Sequence, residues 1–133
     1  MSNVGVVEVN ETQAGQPSLY ERLGGEEQIS VLAREIFSNH SKNPLIMARY
    51  ADSDPETVIR LVAELMCAGF GGPQKYTGKA MLAAHRGMNI NEQEFIAVVD
   101  DVLDALAKHN VGQREKDEIL CALYSMKAEI VHV

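Results

Sequence analysis

The sequence predicts an all-α chain, and three observations carry that expectation. Apolar residues recur at helical spacing along four long stretches, cap and stop signals bracket those stretches, and no segment alternates apolar with polar residues as a half-buried strand does. Several single turns are expected between the four substantial helices.

Residues 1–17 show no helical period and are rich in small and polar types such as Asn10, Thr12, Gln13 and Gly15. They read as a flexible or loosely docked arm, whose Val4, Val6 and Val7 can still lie against the body. One domain is expected over residues 18–133. Ser18-Leu19-Tyr20-Glu21 is a capping box, a serine hydroxyl and a glutamate three residues on that satisfy the first free amides of a helix. That helix is short, because Gly24-Gly25 follows at once. A second helix is expected from Glu26 to Asn39, with Ile29, Leu32, Ala33, Ile36 and Phe37 on one buried stripe. Asn43-Pro44 ends it and opens a turn carrying Leu45, Ile46 and Met47, then Tyr50.

Asp54-Pro55 starts the third helix, with a capping aspartate ahead of proline at the first helical position. Its expected buried stripe is Val58, Val62, Leu65, Met66 and Gly69, widened by Ile59 and Leu61, and Gly71-Gly72-Pro73 stops it. Asn91 and Glu94 cap the fourth helix, striped by Phe95, Val98, Val99, Val102 and Leu106 and ending near Lys108-His109-Asn110. The final helix carries Ile119, Leu120, Leu123, Met126, Lys127 and Ile130.

Composition narrows the function. A net charge of −7 with no basic run argues against a nucleic-acid or anionic-membrane partner. No segment has the apolar length of a membrane span, and the start lacks the charged-then-apolar order of a signal peptide. Cys67 and Cys121 both fall in apolar helical patterns and are expected as buried, reduced thiols of a cytoplasmic protein. Neither belongs to a CxxC pair, so a zinc or redox motif is unsupported.

The stretch with chemistry in it runs from Gly71 to Gly87. After the glycine-proline stop comes the loop Lys75-Tyr76-Thr77-Gly78, then a short helical pattern of Met81, Leu82, Ala84 and His85 closed by Gly87. His85 shares a face with Met81, one turn back. An axial metal ligand is a neutral imidazole with one nitrogen on the metal and the other held by an acceptor, for which the Met81 carbonyl is the candidate. Taken alone, a histidine is more often a core or surface residue. His109 reads as a charge partner at a helix terminus and His132 as tail. His40 reads as a polar residue near a helix end, with a second, distal ligand as the alternative.

In combination the two double-glycine hinges, the stripe ending in Phe37, Pro44 leading towards Tyr50, and the Tyr76-Thr77-Gly78 loop before Met81 to His85 resemble the truncated haemoglobins of group I. The resemblance covers Ser18 to about Ile130. It implies a truncated globin fold, a two-over-two sandwich of antiparallel helix pairs around haem b. The stretches Glu26 to Asn39 and Pro55 to Ala68 line the distal side, and His85 matches the proximal iron ligand. The residues it brings to the cofactor are Phe37, Tyr50, Val58, Val62, Leu65, Lys75, Tyr76, Met81, His85, Phe95 and Val98. For the propionates it leaves Lys75, Arg86, Arg49 and Arg60 as nearby cations, with Tyr76 as a further donor. Some members attach haem through a histidine on the last helix; the aligned position here falls near Ala128, so that bond is not expected.

The distal side departs from the family pattern. Members most often place a tyrosine where this chain has Phe37, and glutamines where it has Val58 and Val62, to donate hydrogen bonds to bound oxygen. Such a bond to a charged group is worth about 1.5–3 kcal/mol, roughly ten- to a hundredfold in affinity. Phe37, Val58, Val62 and Leu65 donate nothing. Tyr50 stands where a phenylalanine usually packs flat on haem; its hydroxyl either reaches the ligand or lies at the surface, and both readings stay open.

The resemblance therefore implies a haem protein binding a diatomic gas (oxygen, carbon monoxide or nitric oxide), a monomer or weak homodimer. The enzyme reading, nitric oxide dioxygenation or a peroxidase-like activity, needs long-held oxygen and an electron-donor reductase, and the apolar wall argues against it. A haem-based gas or redox sensor is a further alternative. An interaction module that has lost haem is disfavoured by His85.

Overall fold

The computed structural model describes residues 15–133; the part of the expected arm before Gly15 lies outside the described residues. Six α-helices follow: α1 Leu19–Arg22, α2 Gly25–Lys42, α3 Pro55–Gly69, α4 Met81–His85, α5 Glu92–Lys108 and α6 Gln113–Ser125. Two 3₁₀ turns, Met47–Tyr50 and Lys127–Glu129, complete the order. Among the described residues the strand geometry amounts to an isolated parallel bridge between Ile90 and Val131. None of the described helices is long and apolar enough to cross a membrane.

The helix starts obey local chemistry. Glu21 N–H donates to Ser18 Oγ at 3.1 Å and Ser18 N–H to Glu21 Oε1 at 3.0 Å, the reciprocal box that the sequence spells. Asn91 and Glu94 form the same box at 2.8 and 3.0 Å. At α3 the Asp54 carboxylate takes both the N–H and the hydroxyl of Thr57, and Pro55 sits where no donor is needed. Gly24 turns the chain between α1 and α2 at φ 103°, a left-handed conformation that costs other residues energy. Gly72 matters for space: a Cβ there would sit 2.6 Å from the Tyr20 ring.

The core joins α1, α2, α3, α5 and α6 through Leu19, Ile29, Leu32, Ala33, Ile36, Ile59, Met66, Cys67, Leu106 and Ile119. α2 packs on both α3 and α5, and α5 on α6. Two polar ties fasten α1. Tyr20 N–H donates to the Phe70 carbonyl at 2.8 Å, and Arg22 spans Glu115 at 2.6 Å and Glu118 at 2.8 Å on α6.

Three expectations are corrected. On α3 the buried residues are Ile59, Ala63, Met66 and Cys67, whereas Val58, Val62 and Leu65 are half-buried and Gly69 is exposed. This helix is apolar over more than one face, and the face that meets α2 is rotated by about one residue from the expected stripe. The last helix stops at Ser125. Met126, Lys127 and Ile130 belong to a tighter 3₁₀ turn that sends the tail to Ile90. Finally, Cys67 is buried but Cys121 is exposed, since Ile119 takes the inward position on α6 and two residues further faces nearly opposite.

Candidate functional site

The site grows out of the loop after α3. Thr77 donates from its N–H at 2.9 Å and its hydroxyl at 2.7 Å to one carboxylate oxygen of Glu64 on α3. Those bonds, with Arg60 beside them, hold Glu64 below the usual carboxylate range. The Tyr76 hydroxyl donates to the Lys79 carbonyl at 2.7 Å, and its ring lies so close to Gly78 that no Cβ fits there. So hooked, the loop delivers α4.

α4 is a five-residue helix with no buried residue, and its last member is His85. His85 Nδ1 lies 2.8 Å from the Met81 carbonyl oxygen. A carbonyl only accepts, so Nδ1 carries the proton and Nε2 presents a lone pair. Nε2 bonds to none of the described residues. Beyond His85, Gly87 and Asn89 donate their N–H groups to the Val133 carbonyl at 3.1 and 3.2 Å, and His132 N–H donates to Ile90 O at 2.8 Å. The tail thereby braces the segment that follows the histidine.

Among the half-buried apolar side chains are Phe37 on α2, Val58, Leu61, Val62 and Leu65 on α3, Met81 and Leu82 on α4, and Val98 on α5. Apolar groups neither sealed in the core nor fully exposed, together with an imidazole lone pair, fit a flat apolar cofactor with a metal at its centre. Phe95 is different. It is buried, its ring edge-on to Tyr124 at 5.4 Å with Lys127 Nζ 6.0 Å above, so its packing is with α6 and the tail.

Tyr50 is half-buried at the end of the first 3₁₀ turn. Phe37 meets it edge-on at 5.7 Å and 84°, and His40 stacks on it at 5.5 Å and 10°. Burial, with the nearby Asp101 charge, pushes the phenol pKa up, so the hydroxyl stays a donor. Its oxygen has no hydrogen-bond partner among the described residues.

Behind these rings lies a polar cluster that the sequence reading missed. His40 is buried, with Nδ1 2.8 Å from Asp101 Oδ2 on α5. Asn43 Nδ2 reaches both carboxylate oxygens at 3.1 and 3.2 Å, and Asn39 Nδ2 donates to the Asp101 carbonyl at 2.9 Å. Burial pulls the His40 pKa down against the opposing pull of Asp101, which leaves the ring neutral at neutral pH. A signal for Asp101 was present: it falls between Ala97 and Ala105 at i, i+4, i+8, all three buried. An acid on the buried face of a helix requires a partner.

Of the four cations near the loop, two are occupied. Arg49 makes two bonds to Glu94 at 2.7 and 2.9 Å and a third to the Met88 carbonyl, and Arg60 pairs with Glu64 at 3.0 Å. Lys75 and Arg86 are exposed and form no ion pair among the described residues. His109 caps α5 and meets Glu35 at 3.2 Å, as a helix-terminus partner should. Two surface hollows, one of about 360 Å³ beside Val31 and Arg34 and one of about 140 Å³ beside Gln28 and His109, include neither His85 nor the wall.

A family model described as bacterial-like globin matches residues 18–132. A group 1 truncated hemoglobin from Nostoc sp. (strain MUN 8820) is 24% identical over 115 residues, which is 86% of this chain and 98% of that protein. The truncated hemoglobin of Tetrahymena pyriformis in its Fe(III) form superposes with a TM-score of 0.84 at 20% identity, over 88% of this chain and 100% of that one. The group II truncated hemoglobin of Bacillus anthracis superposes at 0.80, with 24% identity over 89% and 94% of the two chains.

Proposed function

The chain belongs to the bacterial-like globin family and has the truncated globin fold, and from that premise we propose that it binds haem b through His85 and a diatomic gas beside Tyr50. The observation that carries this reading is the bond from His85 Nδ1 to the Met81 carbonyl. It sets the tautomer and the ring orientation, and it leaves Nε2 as the electron-pair donor that an axial ligand must be. Haem, if held there by His85, would supply an iron able to bind oxygen, carbon monoxide or nitric oxide.

The chain's own residues do the rest. Phe37, Val58, Val62, Leu65 and Val98 keep water from the gas and donate no hydrogen bond to it. Of the residues proposed for this wall, Tyr50 carries a hydroxyl donor. Lys75 and Arg86, unpaired, suit the propionate carboxylates better than Arg49 and Arg60, whose charges are already neutralised. Tyr76 is removed from that role by its bond to Lys79. A wall apolar but for Tyr50 favours gas binding over an enzyme that needs a reductase, and oxygen release is quick only where Tyr50 does not donate.

Titrating the purified chain with haemin tests the reading. The expected result is a sharp Soret band that saturates at one haem per chain and persists through gel filtration. Haemin that elutes free of the protein sinks it.

A further inference from the structure

Asp101 is 7% exposed, and a carboxylate so placed is costly unless its oxygens are satisfied. Here they are, by His40 Nδ1 and Asn43 Nδ2, both from the C-terminal end of α2 or its cap. The tethered His40 ring lies parallel to the Tyr50 ring, while Phe37 stands at right angles to it. The 3₁₀ turn that carries Tyr50 has no buried residue of its own. The turn's backbone is anchored by Arg49, bonded to Glu94 and the Met88 carbonyl, and by buried Ile46 ahead of it, while these two rings flank the phenol itself. Orientation matters because a hydrogen bond weakens steeply once its angle falls below about 120°.

We propose that Asp101 is a positioning residue for gas binding: by tethering His40 it clamps the Tyr50 ring, so that the phenol donates to the gas from one fixed orientation. This rests on the haem-binding reading above with Tyr50 as the donor. The same arrangement keeps the donor chemically intact. A neutral His40 places no positive charge beside the phenol, and the Asp101 charge opposes its ionisation. An interhelical tie alone explains the bonds to Asp101 but not the parallel stack on Tyr50.

A double-mutant cycle on the haem-loaded protein separates the two roles. Tyr50→Phe, Asp101→Asn and the double variant are compared with the parent by oxygen release, by the infrared stretching band of bound carbon monoxide, and by thermal unfolding. Tyr50→Phe is expected to shift the band and speed release. Asp101→Asn is expected to split the band or move it towards that of Tyr50→Phe, and to speed release about threefold or more, within the range of coupled neighbours. In the Tyr50→Phe background it should change neither. An Asp101→Asn protein that unfolds earlier yet keeps the parent's band and release rate overturns the proposal, as does an equal effect in both backgrounds. If Tyr50→Phe itself changes nothing, the donor premise has failed and the proposal falls with it, while the haemin titration still stands. Should Asp101→Asn not fold, Asp101→Leu combined with His40→Leu replaces the buried acid–imidazole pair by apolar groups, leaves the half-exposed Asn43 amide to water, and enters the same cycle.

Discussion

The two sides of the proposed pocket are built on opposite principles. The side that carries His85 is a five-residue helix without a buried residue, aimed by hydrogen bonds: Thr77 to Glu64, Tyr76 to Lys79, and Gly87 and Asn89 to Val133. A helix that short is unstable on its own, so its place is set by what grips its two ends. The other proposed side rests on α2, α3 and α5, which supply most of the core, and between α2 and α5 a buried acid is held. A metal ligand needs only aim, and a loosely covered segment leaves a way in for a large cofactor. A gas site needs a wall held to fractions of an ångström, which close packing provides.

The contrast predicts a ranked set of effects. The largest falls on the lightly held side: His85→Ala should lose the axial ligand, collapse the Soret band of the parent, and recover a five-coordinate spectrum when imidazole is added. An absorption unchanged by that substitution ends the proposed role of His85. On the packed side, Asp101→Ala should lower unfolding stability by about 3 kcal/mol, because His40 and Asn43 lose their buried acceptor. Urea titration reads this, and a loss below about 1 kcal/mol would place the cluster among solvent-screened surface pairs.

A smaller effect is expected from pH. His40 binds a proton less readily folded than unfolded, its pKa lying below the ordinary 6.5. The unfolded chain therefore takes up the proton first, and stability should fall as pH drops through 6.5 towards the folded value. Glu94 and Glu115, held low chiefly by Arg49 and Arg22, add their losses only below 4.5. In His40→Leu the first of these two declines should vanish from a Tm-against-pH curve. The smallest effect on stability belongs to Glu64→Gln, which weakens the hook on Thr77 at the surface: Tm should barely move, but haemin transfer to an acceptor globin should quicken. A marked drop in Tm with unchanged haemin transfer would assign Glu64 to the core side of the comparison.

Much of this architecture is legible in local sequence. Both capping boxes, the Asp54-Pro55 start, the Asn110 stop at φ 60° and the one-turn spacing from Met81 to His85 are short-range facts, and each appears in the structure as the residues predict. On α3 the buried face differs from the expected stripe for a reason that no single helix reveals. With Val58, Ile59, Leu61, Val62, Leu65 and Met66 all apolar, the choice of buried face belongs to whatever packs against it. Cys121 differs from its expected burial in the same way.

By itself, then, the sequence determined the helices, most of their starts and the histidine with its carbonyl partner, because these depend on residues within a turn or two of one another, whereas the ends of α2 and α6 lie away from where it puts them. Only the tertiary structure decided which cations remain free, which face of α3 is sealed, and that His40 is spent on Asp101, 61 residues away, beside Tyr50. Those outcomes are long-range pairings. A side chain's partner across the fold is chosen by geometry that neither residue encodes alone.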